Sequence, residues 1–106
     1  MQQKSEKKNI LNAEKYIQAG LYLTSNNKNE AILLYEEIIL SKNEIYAILA
    51  LNTVVEKKLI SDKKRILELF MILENSTKVK ENKDLIKLKK ALYLIKISKI
   101  DDGKSL

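Results

Sequence analysis

The sequence predicts an all-α domain of about five helices arranged as a stack of antiparallel pairs, the third pair incomplete. Three observations predict it. Pro is absent and Gly occurs only at Gly20 and Gly103, so hairpin turns and strand punctuation are missing while nothing interrupts long helices. Apolar residues recur at three- and four-residue spacing along most of the chain. A shift of 35 residues also superposes one apolar pattern on another. The 106 residues suffice for one domain with one modest core, and that core is aliphatic, because the aromatics are only five Tyr and Phe70.

The first helix is expected from about Lys7 to Ser25, with Ile10, Ala13, Ile17, Gly20 and Leu21 on its inner face and Tyr16 and Leu23 widening the stripe. Polar residues from Ser25 to Asn29 stop it, and Asn27 with Glu30 reads as a capping pair for the second helix, which reaches about Leu40. There Ala31, Leu34, Tyr35 and Ile38 share a face, broadened by Ile32 and Ile39. Ser41 to Glu44 has the S-x-x-E form of a capping box. The third helix, to about Leu59, carries Ile45, Ile48, Leu49, Asn52 and Val55 in one line, with Ala47, Ala50, Leu51 and Val54 beside it.

Ser61-Asp62 can cap a fourth helix to about Asn75, whose core stripe is Ile66, Leu69, Phe70 and Leu73. Glu74 to Asn82 reads as the longest and most flexible connection. The fifth helix, about Lys83 to Ser98, is apolar on two sides: Leu85, Leu88, Leu92 and Ile95 form one stripe, and Ile86, Tyr93 and Ile97 another. Two apolar sides need two partners. The preceding pair is one, and a further helix, a second copy or a bound protein is the other.

In the 35-residue shift Ile10 falls on Ile45, Tyr16 on Leu51, Ala19 on Val54, Ala31 on Ile66, Leu34 on Leu69, Tyr35 on Phe70 and Ile38 on Leu73. The segment Gly20 to Leu23 also matches Ala91 to Leu94, which gives units of about 7–41 and 42–76 and a partial unit 82–106. Such a period marks stacked units, none of which buries its apolar face alone. In this register a sixth helix would start near Asp102, so the expectation is either a truncated array or self-association through Ile86, Tyr93 and Ile97.

Ala19, Tyr22, Asn26, Ala31, Tyr35 and Ile38 fall at the small, aromatic, turn, Ala, aromatic and small-apolar positions of a tetratricopeptide (TPR) repeat, which the first unit resembles. The second unit departs from that pattern at Val54, Lys57 and Ile66, and Asn43 replaces the usual closing Pro. The order A-x-x-Y, E-A-x-x-L-Y-E, I-Y-x-x-L-A-L is similar to the periplasmic domain of the ancillary SecYEG translocon subunit family. That resemblance implies a right-handed helical stack at the periplasmic face of the inner membrane, anchored by a preceding membrane helix and holding secreted proteins or chaperones. Without it a cytoplasmic location is expected.

Absence of Cys and His removes disulfides, thiolate and imidazole metal ligation, and the usual nucleophiles and general bases. Glu36 and Glu37 are adjacent and cannot face one another across a cleft as paired catalytic carboxylates do. Gly103-Lys104-Ser105 lacks the second Gly of a phosphate loop, because Ser98 stands in its place. The expectation is therefore a non-enzymatic domain with no cofactor and no metal.

Formal net charge is +6, concentrated between Lys78 and Leu106, and Lys83, Lys87 and Lys90 line one helix face. This supplies a competing reading, a basic module for nucleic acid or an anionic membrane surface. Against it, Lys outnumbers Arg nineteen to one in a composition typical of AT-rich codon use, and nucleic-acid readers generally add Arg forks or exposed aromatics. No apolar run approaches the ~20 residues that span a bilayer, so a soluble chain is expected, with membrane association only through an anchor outside it. The favoured reading is a scaffold that binds a protein or peptide on the first helices of successive units, through Asn12, Tyr16, Gln18 and Tyr22 of helix one and Asn52 and Glu56 of helix three.

Overall fold

The computed structural model describes residues 2–41 and 43–105, with side chains described over 11–41 and 43–99. Five helices occupy them: α1 (Gln2–Thr24), α2 (Lys28–Ile39), α3 (Glu44–Glu56), α4 (Lys63–Ser76) and α5 (Lys80–Ser105). No strand occurs among the described residues. Each helix packs on the next in the chain, and the odd-numbered helices also touch one another, α1 on α3 and α3 on α5.

Turn chemistry makes two of the helix pairs. Both α1 and α3 end in a Schellman motif, in which the residue after the last turn adopts a left-handed conformation and two backbone N–H groups return to the final carbonyls. At the end of α1, Asn26 has φ of 64°, Asn26 N–H donates to Leu23 O, and Asn27 N–H donates to Tyr22 O at 2.8 Å. At the end of α3, Lys58 has φ of 54°, Lys58 N–H donates to Val55 O, and Leu59 N–H donates to Val54 O at 3.0 Å. Leu59 is buried beside Val54 and closes the second motif with the apolar contact that such caps favour.

Asp62 caps α4, its carboxylate accepting from Lys64 N–H at 3.0 Å. The α3 cap is Asn43, whose side-chain oxygen accepts from Tyr46 N–H at 3.1 Å. Ser41 is not the capping residue that its S-x-x-E spacing suggests; its hydroxyl donates to Ile38 O at 2.6 Å and closes α2. Asn27 flanks α2 but makes no side-chain cap, and its amide donates to Ser25 Oγ.

One continuous core runs through the stack. Ala31, Tyr35, Ile38 and Ile39 enter it from α2, and Ile66, Leu69, Phe70 and Leu73 from α4. Helix α3 supplies Ala47, Ile48, Ala50, Leu51 and Val54, α1 supplies Ala19, and α5 supplies Ile86. Tyr35 and Phe70, equivalent in the repeat, are equivalent in burial, each 2% exposed. Fully burying one such side chain contributes ~1.5–3 kcal/mol.

The buried face of α1 is rotated from the expected one. Asn12, Tyr16, Ala19 and Leu23 face the core, whereas Ile17 and Leu21 are 64% and 55% exposed; Ile10 lies outside the described side chains. The two stripes overlap, and Tyr16 decides between them. Its ring packs edge-on to Tyr35 at 5.8 Å and lies 6.4 Å from Tyr46, while its hydroxyl is 2.9 Å from Thr53 Oγ1. Thr53 donates its only hydroxyl proton to Leu49 O, so Tyr16 is the donor in this bond. Burial raises the Tyr35 pKa, with the Tyr16 phenol adding to it. In α3 likewise, Ile45 and Leu49 face outward and the small residues face inward.

Two further expectations are corrected. The connection expected over Glu74 to Asn82 shrinks to residues 77–79, because α4 runs to Ser76 and Thr77 is buried, its hydroxyl donating to Leu73 O at 2.6 Å. Helix α5 also continues through Ser105 without the break expected before Asp102.

A left-handed conformation strains any residue with a Cβ, and at Lys58 nothing but the turn requires that conformation. Lys58→Gly is expected to stabilise the domain by up to about 1 kcal/mol, or a rise in thermal midpoint of about 4–8 °C. A lowered midpoint in a circular-dichroism melt would contradict the turn assigned here.

Candidate functional site

Helices α3 and α5 enclose a cleft of roughly 190 Å³, floored by α4. Its floor is apolar, made by Leu51, Phe70, Leu73 and Ile86, and Val55 forms the α3 wall. Leu92 and Tyr93 form the α5 wall, and the Tyr93 ring lies 5.9 Å from Phe70. Burial of the phenol raises the Tyr93 pKa.

One polar chain crosses this apolar space. Lys89 Nζ donates to Asn52 Oδ1 at 2.8 Å, and Asn52 Nδ2 donates to Glu56 Oε1 at 3.3 Å. Asn52 thus uses both ends of its amide to join a cation on α5 to an anion one turn along α3. Lys96 lies at the mouth, exposed. The residues of the cleft present apolar depth, one carboxylate and two ammonium groups, a set suited to an amphipathic segment. Among the described residues no group of His, Cys, Asp or Glu could hold a metal ion.

The spacing of α3 and α5 is set at one end by Glu44. Its carboxylate accepts from Lys78 N–H at 3.1 Å, from Val79 N–H at 3.4 Å and from Asn82 Nδ2 at 3.0 Å. An anion from the first turn of α3 therefore binds the start of α5, where the helix dipole favours negative charge and free N–H groups need acceptors. The Asn82 hydrogen bond first, then that from Lys78 N–H, holds the Glu44 carboxyl below its ordinary pKa of 4.5. On the outer side Arg65, the single Arg of the chain, bridges Glu36 of α2 at 2.9 Å and Glu68 of its own helix. These bonds raise the Arg65 pKa, led by the one to Glu36.

The residues expected on the binding face divide into three groups. Asn52 and Glu56 line the cleft. Gln18 is exposed on α1, away from the cleft lining. Asn12 is buried, Tyr16 is occupied by Tyr35, Tyr46 and Thr53, and Tyr22 packs partly against the core and keeps part of its surface exposed, outside the cleft lining. Lys89 and Lys96 were not expected there, because they stand 37 and 40 residues beyond Asn52 and Glu56 and only the packing of α5 brings them in.

The two faces of α5 are exchanged relative to expectation. Ile86 is buried, Tyr93 is half-buried against the core and Ile97 is half-buried, so this stripe is not the uncovered one. Leu85, Leu88 and Ile95 face outward instead, and Leu92 is exposed at the edge of the cleft. Aromatic contact decides the matter, since Tyr93 reaches Phe70 only with this face turned in. Of the basic line on the same helix, Lys90 lies 3.8 Å from Glu74.

No helix of the described residues is long and apolar enough to cross a membrane. No known protein family, curated protein or solved structure matches the chain.

The sign of the Glu44 effect is fixed by its lowered pKa. A carboxylate held below its unfolded pKa adds stability above that value and loses it as the pH falls through the folded pKa. Docking of α5 on α3 is therefore expected to weaken below about pH 4.5. Glu44→Gln keeps an acceptor without the charge, so its thermal midpoint should lie below that of the parent near neutral pH and converge with it in acid. A Glu44 carboxyl titrating by NMR at or above 4.5 would contradict the clamp.

Proposed function

We propose that the domain is a non-enzymatic, TPR-like scaffold that holds an apolar side chain of a partner protein or peptide in the cleft between α3 and α5. The observation that carries this reading is the cleft itself, whose apolar floor is crossed by the Lys89–Asn52–Glu56 chain. Its volume supports a peptide anchor over a metabolite. Roughly 190 Å³ is below the ~300–1,000 Å³ usual for small-molecule sites, and it suits one or two side chains of a longer segment. Placement on the first helices of successive units also agrees with how helical arrays use their inner surface. Binding of this kind rests on a desolvated anchor with a polar rim and involves no bond chemistry.

Lys96 at the mouth favours an acidic flank beside the anchor. Short fluorescent peptides carrying one Leu or Phe between Asp residues are expected to bind, measured by fluorescence polarisation, and the same peptides with Lys flanks to bind more weakly. Val55→Arg fills the cleft from a half-buried position. It should weaken binding at least about tenfold, ~1.4 kcal/mol, with helicity unchanged. Binding indifferent to Val55→Arg would remove the cleft from consideration, and binding of duplex DNA with a steep salt dependence in place of peptides would favour the basic-module reading.

A further inference from the structure

We infer that the partner segment held by the cleft is an amphipathic helix, laid antiparallel along the groove between α3 and α5 with acidic residues in its first turn beside Lys89 and Lys96. The inference rests on the reading of the cleft as a site for an apolar anchor, and adds the conformation, direction and charge of the segment that carries the anchor. Two side-chain bonds set the walls of the groove. Asn82 Nδ2 donates to Glu44 at 3.0 Å and Lys89 Nζ donates to Asn52 at 2.8 Å, and these pairs are eight residues apart on α3 and seven on α5. The two helices therefore run parallel and in step for two turns.

Each wall presents one line of side chains to solvent. On α3, Ile48 and Val55 turn to the cleft and Thr53 turns to Tyr16 of α1, which leaves Ile45, Leu49, Asn52 and Glu56 between them at intervals of four, three and four. On α5, Ile86 and Tyr93 turn inward, and Leu85, Lys89, Leu92 and Lys96 follow at the same intervals. Ile45, Leu49, Leu85 and Leu92 are 67%, 41%, 39% and 57% exposed. The groove is thus aliphatic where α3 begins and polar where it ends, over about 16 Å, or three turns of helix.

Hydrogen bonding favours a helix over an extended strand in this groove. An extended segment would lay backbone N–H and C=O groups on Ile45, Leu49 and Leu85, whose side chains offer them no partner. A helix satisfies those groups internally and presents apolar residues at three- and four-residue spacing. Charge sets the direction. At the polar end the α5 wall carries Lys89 and Lys96, and the one carboxylate of the cleft, Glu56, already accepts from Asn52. Glu56 is also the last residue of α3, so the negative end of that helix dipole lies there. A helix N-terminus with Asp or Glu in its first turn meets both conditions, and a C-terminus meets neither. A second copy of the chain offers no such end. The first turns of α1 and α4 hold no acid, those of α2 and α5 combine one Glu with Lys, and Glu44 of α3 is engaged by α5.

The test uses the full chain and two fluorescent peptides of about 14 residues, a length at which an isolated helix is marginal and helicity is acquired on binding. One peptide carries Leu at helical spacing and Asp in its first turn. The other has the same composition with Leu out of helical register and Asp beside each Leu. The first is expected to bind at least about tenfold more tightly in fluorescence polarisation, and to gain helical circular dichroism when titrated with the chain. A nitroxide at its N-terminus should broaden the NMR amide signals of Glu56 and Lys96 and spare that of Ile45. Ile45→Gln/Leu49→Gln alters two exposed residues outside the cleft lining. It should remove the tenfold advantage while leaving the melt of the chain and its affinity for the short Asp-flanked peptides unchanged. Equal affinity of the two long peptides, an advantage untouched by the double variant, or broadening at Ile45 instead overturns the inference, and the cleft reading survives wherever the short peptides still bind. Absence of binding by short and long peptides alike overturns both. Self-association of the chain, or its sedimentation with phosphatidylserine vesicles, abolished by the same two substitutions would overturn the inference in favour of a second copy or a lipid.

Discussion

Helix α3 must pack on all four other helices at once, and the rest of the structure depends on its meeting that demand. Ala47, Ala50 and Val54 are fully buried on it, and small side chains are what let neighbouring backbones approach from several directions. Larger residues there would separate the α1–α2 pair from the α4–α5 pair. With α3 in place, each pair covers the face that the other leaves open, and Tyr35 and Phe70 occupy matching sites on its two sides. The polar ends of α3 are also put to use, Glu44 binding the start of α5 and Thr53 receiving the Tyr16 hydroxyl. One helix thus fixes both the interior and the walls of the cleft.

A left-handed turn follows both α1 and α3, and Tyr35 and Phe70 are equally buried, but the register differs between these turns and the helices that follow them. Counted from the left-handed turn residues Asn26 and Lys58, the first helices are offset by 32 positions; counted from the starts of α2 and α4, the second helices are offset by 35. Three added residues in the second turn, from Leu59 onward, absorb the difference.

How far the fold could be read depended on how sharply each helix separates its faces. In α4 charged residues bound the apolar stripe, and Ile66, Leu69, Phe70 and Leu73 are the residues buried. In α2 a broad arc left little freedom either. Helices α1 and α5 are apolar over much of their circumference, so periodicity alone offers two stripes and cannot rank them. The choice is made by contacts between distant residues, Tyr16 with Thr53 and Tyr93 with Phe70, which no local pattern contains. The same limit applies to the cleft. Asn52 and Glu56 stand out from an apolar helix, but their partner Lys89 is one of nineteen lysines until α5 is docked. Asn12 shows the converse, a polar residue that reads as surface and is buried.

The claim on which everything rests is that α3 is the common support of one cooperative interior, and native-state hydrogen exchange measures it most directly. If it is right, the amides of Ala50, Leu51 and Val54 exchange only through global unfolding, with the highest free energies in the chain, and those of α2 and α4 rise and fall with them as denaturant is added. Exchange from α3 through a lower-energy opening, with the α1–α2 pair still protected, would show two loosely joined hairpins and contradict the account.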